Sequence, residues 1–274
     1  LERRLDPARE LALEADWRRF ADGAWSEDVF CPRREPAPPT IEWPAVSIDA
    51  ALDDVDVLVL QQLQQCSAAL ADGSGELLAV RCNYGVGILP SMLGADIYRM
   101  PREQNELPIS VPLADGHDGV RRVIEAGVPP LDRGLMADVW RAAERFQEVL
   151  AARPTLDRHV HLYHPDLQGP MDVCELLWGS DLFVDLYQEA DLVHALLDAV
   201  CTAYEQVIAA WYRVAPPRLA DGYGVHWGML HRGRIMLRDD SAMNLSPQMF
   251  TTFIAPYNAR LLQRCGGGAE HFCG

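Results

Sequence analysis

Two hydrophobic periods take turns along this chain, and that alternation constrains its fold more than any other feature. Short apolar runs closed by polar or glycine-rich clusters are followed by stretches in which apolar residues recur every three to four positions. Residues 77–81 form one such run, and Cys82-Asn83-Tyr84-Gly85-Val86-Gly87 follows as a strand end opening into a loop. Residues 159–164, 222–228, 233–240 and 269–273 supply further strand candidates. Helical spacing is predicted over about 117–126, 134–151 and 189–214. The last of these aligns Val193, Leu197, Val200, Tyr204, Val207 and Trp211 in a stripe that reads as core packing. Strands separated by helices point to a parallel α/β fold, because parallel neighbours need a long crossover between them.

The first 75 residues read differently. Asp6-Pro7 has the form of an N-cap and first helical residue, and Leu13, Trp17 and Phe20 continue a helix that ends near Gly23. Five prolines between Cys31 and Pro44 predict an extended crossing segment, after which residues 48–71 return to helical character. The expected organisation is therefore a helical N-terminal extension over 1–75 and a (β/α) barrel domain over 76–274. Near the other end, Ser246-Pro247 starts a helix holding Phe250, Ile254, Tyr257 and Leu261, which Pro256 bends and Gly266-Gly267-Gly268 terminates. No internal repeat is evident.

The chain of 274 residues is long enough for a barrel. Its 40 acidic and 24 basic residues give a net charge of −16, which repels nucleic acid and anionic membrane surfaces, so neither is an expected partner. Seven cysteines, an odd number without compact disulfide spacing, suit a reducing compartment. There is no apolar signal region and no run near the roughly 18 apolar residues of a membrane span, so a cytoplasmic location is expected.

In a parallel barrel the chemistry sits at the C-terminal strand ends. The polar ends here are Cys82-Asn83-Tyr84, Tyr163-His164-Pro165-Asp166, His226-Trp227, Asp239-Asp240 and His271-Phe272-Cys273. Residues two apart on a strand share a side, so His271 and Cys273 can offer a nitrogen and a sulfur to one ion, a donor pair that suits zinc. His-x-Cys alone is a weak motif that also arises without function; its place at a strand end after a triple glycine strengthens it. A catalytic zinc takes three protein ligands, and Cys82, His226, Asp240 or a residue beyond Gly274 are the alternatives for the third. Adjacent strand residues face opposite ways, and Asp240, nearer the loop, is expected to point inward while Asp239 points outward. His159 and His161 have the opposite parity to His164, so a satisfied or surface role is assigned to the first two and a site role to His164. Gly85-x-Gly87 lacks the rest of a dinucleotide fingerprint.

Leu162-Tyr163-His164-Pro165-Asp166-Leu167-Gln168-Gly169-Pro170, Arg238-Asp239-Asp240-Ser241, Leu245-Ser246-Pro247-Gln248-Met249-Phe250, Ala255-Pro256-Tyr257 and Gly266-Gly267 with His271-Phe272-Cys273-Gly274 occur in this order. As a set they resemble the uroporphyrinogen decarboxylase superfamily, over about residues 76–274, and more nearly its zinc-dependent cobalamin and coenzyme M methyltransferase branch. The resemblance implies a TIM (β/α)8 barrel lacking its last strands in this chain. It also implies a His-x-Cys metal pair, matched by His271 and Cys273, whose later cysteine partner has no counterpart before Gly274. The activity implied is methyl transfer to a thiol or similar small-molecule acceptor, with the methyl group delivered by a corrinoid on a partner protein and Zn2+ as cofactor. Asp240, Tyr163 and His226 are the expected catalytic residues, and Asn83, Tyr84, His164, Trp227 and Tyr257 the expected substrate contacts. A homodimer is the expected assembly. The alternatives are a decarboxylase-like lyase acting on a tetrapyrrole through an inward carboxylate such as Asp240, which lacks the family's arginine-rich N-terminal run, and a barrel that binds a small molecule without catalysis.

Overall fold

The computed structural model describes residues 1–26 and 29–273, so Gly274, the last residue of the C-terminal motif, lies outside the described residues. Among the described residues eight short strands are interspersed with helices: β1 (Leu78–Val80), β2 (Asp96–Tyr98), β3 (Ile109–Val111), β4 (Val160–Leu162), β5 (Tyr223–His226), β6 (Met229–Arg232), β7 (Ile235–Arg238) and β8 (Gly268–His271). They form four two-stranded sheets: β1–β4 and β7–β8 are parallel, β2–β3 and β5–β6 antiparallel. The fold is mixed α/β. Among the described residues these pairings do not close into a barrel.

The chain divides into two compact units. The first comprises Leu1–Cys82, Arg141–Tyr163 and Val214–Arg234. Asp6 caps the helix Pro7–Ala21 by accepting from the backbone N–H groups of Ala8 and Arg9, and that helix inserts Leu13 and Trp17 into a core with Leu77, Leu219, Tyr223, Val225 and Leu230. Burying a leucine of this kind contributes about 1.5–3 kcal/mol. Trp17 Nε1 donates to the Gly75 carbonyl at 2.8 Å, which ties the helix to the turn before β1. The proline-rich stretch forms no regular element but carries Arg34, which is buried in a two-pronged ion pair with Glu10 at 2.6 Å. β1 then pairs with β4 from Leu78 against Val160 to Val80 against Leu162.

Residues 159–164 are not one strand: His159 ends the helix Pro154–His159, and β4 stops at Leu162, so the alternation there is shorter than its sequence suggests. β5 and β6 depart further from the parallel expectation. Trp227 and Gly228 both take positive φ, 48° and 77°, which is the two-residue turn that folds a hairpin back on itself.

The second unit comprises Asn83–Trp140, His164–Arg213 and Ile235–Gly274. The helix Ala190–Val214 buries Val193, Leu197, Val200, Tyr204, Val207 and Trp211, the stripe read from the sequence. By length and composition this helix is also apolar enough to cross a membrane, with half of its most apolar window buried inside the protein. The sequence reading found no such run because Asp198 and Glu205 interrupt it. The predicted helix after Ser246 is two helices, Pro247–Phe253 and Ala255–Arg264, separated at Ile254 where Pro256, lacking an N–H, cannot extend the first. The ribbon β2–β3 was not foreseen, since Tyr98, Ile109 and Val111 stay exposed and give no buried-strand pattern.

Candidate metal centre

The parallel register of β7 and β8 sets Arg238 beside His271, and Asp239 N–H donates to the His271 carbonyl at 3.1 Å. The chain then leaves β7 into a short 3-10 turn, Asp240–Asn244, which brings the Asp240 carboxylate to the end of β8. Cys273 lies past the end of the strand, and its backbone N–H donates to Asp240 Oδ1 at 2.8 Å. His271 Nε2 is 3.0 Å from Cys273 Sγ. Ligand atoms of Asp240, His271 and Cys273 all lie within 4.8 Å of one another. The histidine and cysteine thus meet as neighbours, although a hydrogen bond to Asp240, and not strand pleating, holds Cys273. An imidazole nitrogen, a sulfur and a carboxylate oxygen are a donor set that fits zinc, and three of them leave a tetrahedral ion one open position.

Behind this cluster stands a buried polar network from the helix Pro170–Trp178. Asp172, in its first turn, accepts from Asp240 N at 3.0 Å through Oδ2, and from Ser241 N at 2.9 Å and Ser241 Oγ at 2.5 Å through Oδ1. Ser241 Oγ is also 2.5 Å from Glu175 Oε2, one turn further along the same helix face. Asp239 Oδ2 accepts from Asn258 Nδ2 at 2.6 Å. The Asp239 carboxylate lies directly over Gly169, where an added Cβ would stand 2.1 Å from Oδ1, so only glycine permits this approach. Arg238 forms a buried ion pair with Asp166.

The network is strongly acidic, and its groups are shifted accordingly. Burial first, and then the Asp172 carboxylate, pushes Asp239 up to about 7. Burial also raises Asp172, against the hydrogen bonds from Ser241 and Asp240 that lower it. Desolvation, and then Asp240, moves the Cys273 thiol above its ordinary value. Such a concentration of carboxylates beside a thiol favours a bound cation.

The expected orientation of the aspartate pair is reversed. Asp239 is 1% exposed, and Asp240 is not buried. Parity failed because every residue of β7 is buried on both faces and the chain turns immediately after Asp239. Asp240 still joins His271 and Cys273, through the turn. Asp172, Asn258 and Gly169 were missed; Asp172 and Gly169 stand in or beside the Gln168-Gly169-Pro170 motif, but their roles depend on contacts made about 70 residues away.

The remaining expected residues fall into two groups. In the second unit, His164 is 1% exposed, and its Nε2 accepts from Met236 N at 3.0 Å while Nδ1 faces the Pro165 carbonyl at 2.8 Å. Nε2 therefore braces β7, while Nδ1 is held by the carbonyl of the next residue. Tyr257 hydrogen-bonds His194 Nδ1 at 2.7 Å, with its hydroxyl pushed up to about 12 by burial. Tyr84 is buried, and Asn83 has a buried Oδ1 with no hydrogen-bond partner among the described residues. In the first unit, Tyr163 packs edge-on against His226 at 4.9 Å, and Trp227 lies 6.4 Å from His226 between ring centroids. His226 Nδ1 meets His231 Nε2 at 2.7 Å, and His231 Nδ1 faces the Arg232 carbonyl at 2.9 Å. Cys82 is buried there, its thiol pushed up by desolvation. Of the three alternatives for a third ligand within the chain, Asp240 is the one found with His271 and Cys273.

No protein-family model and no curated protein matches the chain. Among solved structures, a methyltransferase from Methanosarcina mazei is similar, with a TM-score of 0.64 at 17% sequence identity over 96% of this chain and 70% of that chain. At this identity the likeness concerns the fold, and function has to be argued from the site.

Proposed function

We propose that the chain is a zinc-dependent methyltransferase of the uroporphyrinogen decarboxylase superfamily, built on that superfamily's TIM barrel, with Asp240, His271 and Cys273 as the metal ligands. The observation that carries the reading is the approach of those three donor atoms to within 4.8 Å of one another. The fold shared with the Methanosarcina mazei methyltransferase supports it. When bound, zinc would supply Lewis acidity that lowers the pKa of a thiol acceptor. In methyl transfer to such a thiol, the sulfur–carbon bond forms as the bond from methyl to its donor breaks, and the thiol proton passes to a base. A corrinoid protein is the proposed donor and a cytoplasmic homodimer the proposed setting.

The chain's own groups prepare this chemistry in stated ways. His271 Nε2 lies 3.0 Å from Cys273 Sγ, within hydrogen-bond reach. Asp240 orders Cys273 by accepting its backbone N–H. His226 Nδ1 meets His231 Nε2 and His231 Nδ1 faces the Arg232 carbonyl, a run that ends on a backbone acceptor and so holds these rings in place within the first unit instead of relaying a proton. Tetrapyrrole decarboxylation through Asp240 has less support, because Asp239 is the buried carboxyl of the pair and is packed on Gly169.

Metal analysis of freshly purified protein tests the proposal. About one zinc per chain is expected, as a catalytic site of this ligand set requires. A metal-free preparation that also fails to take up added Zn2+ would overturn it.

A further inference from the structure

The turn bearing Asp240 is held from behind by Asp172. Asp172 is buried, yet its three hydrogen bonds among the described residues go to two successive residues, Asp240 and Ser241, on a segment 68 and 69 residues away in sequence. It grips both backbone N–H groups at the start of the 3-10 turn, one with each carboxylate oxygen. A backbone held at two successive amides has little freedom to rotate, so the direction in which the Asp240 side chain leaves it is set from behind. Glu175, three residues on along the same helix, approaches the Ser241 hydroxyl and completes the clamp. Asp240 in turn holds Cys273 through its backbone N–H.

We propose that Asp172 is a positioning residue for the metal centre, fixing through the Asp240–Ser241 turn where the Asp240 carboxylate stands relative to His271 and Cys273. The inference rests on the metal-binding reading above and adds to it a supporting carboxylate that never touches the ion. Outer partners of metal ligands are worth about 10–100-fold in affinity.

Co2+ is the probe, titrated into the full chain and followed through its sulfur-to-cobalt absorption, with urea unfolding of the same samples. Asp172→Asn is expected to weaken Co2+ binding about 10–100-fold and to alter the absorption band. Ser241→Ala, which leaves both backbone bonds in place, is expected to weaken binding about tenfold, the low end of the same range. Asp185→Asn serves as the comparison: Asp185 is a buried carboxylate in the same unit that accepts from Trp178 Nε1 at 3.0 Å and pairs with His117, so its loss should lower stability and leave cobalt affinity and spectrum unchanged. Wild-type affinity and an unaltered band in Asp172→Asn would overturn the proposal alone. Absence of Co2+ binding by the wild type would overturn it together with the metal-binding reading. Should Asp172→Asn fail to fold, Ser241→Ala decides the matter, a weakened site supporting the inference and an unchanged one rejecting it.

Discussion

At the end of β5 and at the end of β8, histidines meet sulfur, carboxylate or a second imidazole, but the two places use their donor atoms differently. His231 Nδ1 faces a carbonyl, which accepts only, so that nitrogen carries the proton and Nε2 is left to accept from His226 Nδ1. Burial pushes His231 below its ordinary value. In the first unit, then, donor and acceptor are matched along a short run from His226 Nδ1 to the Arg232 carbonyl. In the second, His271, Cys273 and Asp240 bring three ligand atoms together, backed by the carboxyl groups of Asp239 and Asp172, which burial raises above their ordinary values. Convergence of three ligand atoms distinguishes a candidate ion site from a hydrogen-bonded histidine pair, and residue type alone does not.

The largest effect that tests this contrast is at Cys273. Cys273→Ala is expected to lower Co2+ affinity by more than about a hundredfold, beyond the usual loss from an outer partner, as read by absorption titration. His226→Ala should leave that affinity untouched and instead destabilise the protein by about 1–3 kcal/mol, the cost of a partly buried imidazole left without its donor, as read from urea midpoints. Loss of cobalt binding in His226→Ala would erase the distinction between the two places. Between these lies Gly169→Ala: its Cβ would meet the Asp239 carboxylate at 2.1 Å, and a displacement costing about 1–3 kcal/mol is expected, with weaker metal binding only if Asp239 moves the adjacent Asp240.

Local signals in the sequence were read where the physics is local. Asp6 and Ser246 cap helices as their residue types require, the Ala190–Val214 stripe is buried as its period predicts, and Pro256 sits where one predicted helix breaks in two. The hairpin β5–β6 escaped because its turn is Trp227-Gly228, and a tryptophan at positive φ is a poor signal for a turn that usually carries asparagine or aspartate. The meeting of His271 with Cys273 was legible from spacing, whereas the third member was left open among three residues in the chain. Choosing Asp240 depends on the turn that Asp172 holds, and a pairing between positions 172 and 240 leaves no periodic trace in one sequence.

The smallest effect per measurement, and the one that separates the two units most directly, is the dependence of stability on pH in metal-free protein. Asp239 has an ordinary value of 3.8 and stands at about 7 in the folded state, so between those limits the folded chain holds a proton that the unfolded chain has lost. Stability therefore falls as pH rises from about 4 to about 7, by at most about 1.4 kcal/mol per unit, and flattens above. His161, in the first unit, works in the opposite direction: burial pushes it from 6.5 down to about 3, so the unfolded chain binds the extra proton and stability rises over that window. With chelator present, the advantage of Asp239→Asn over wild type in urea midpoint should grow from pH 4 to 7, while that of His161→Asn should grow from pH 6.5 down to 3. Parallel slopes for the two variants would mean that the carboxyl of Asp239 is not the buried, proton-holding group on which the acidic character of the metal centre rests.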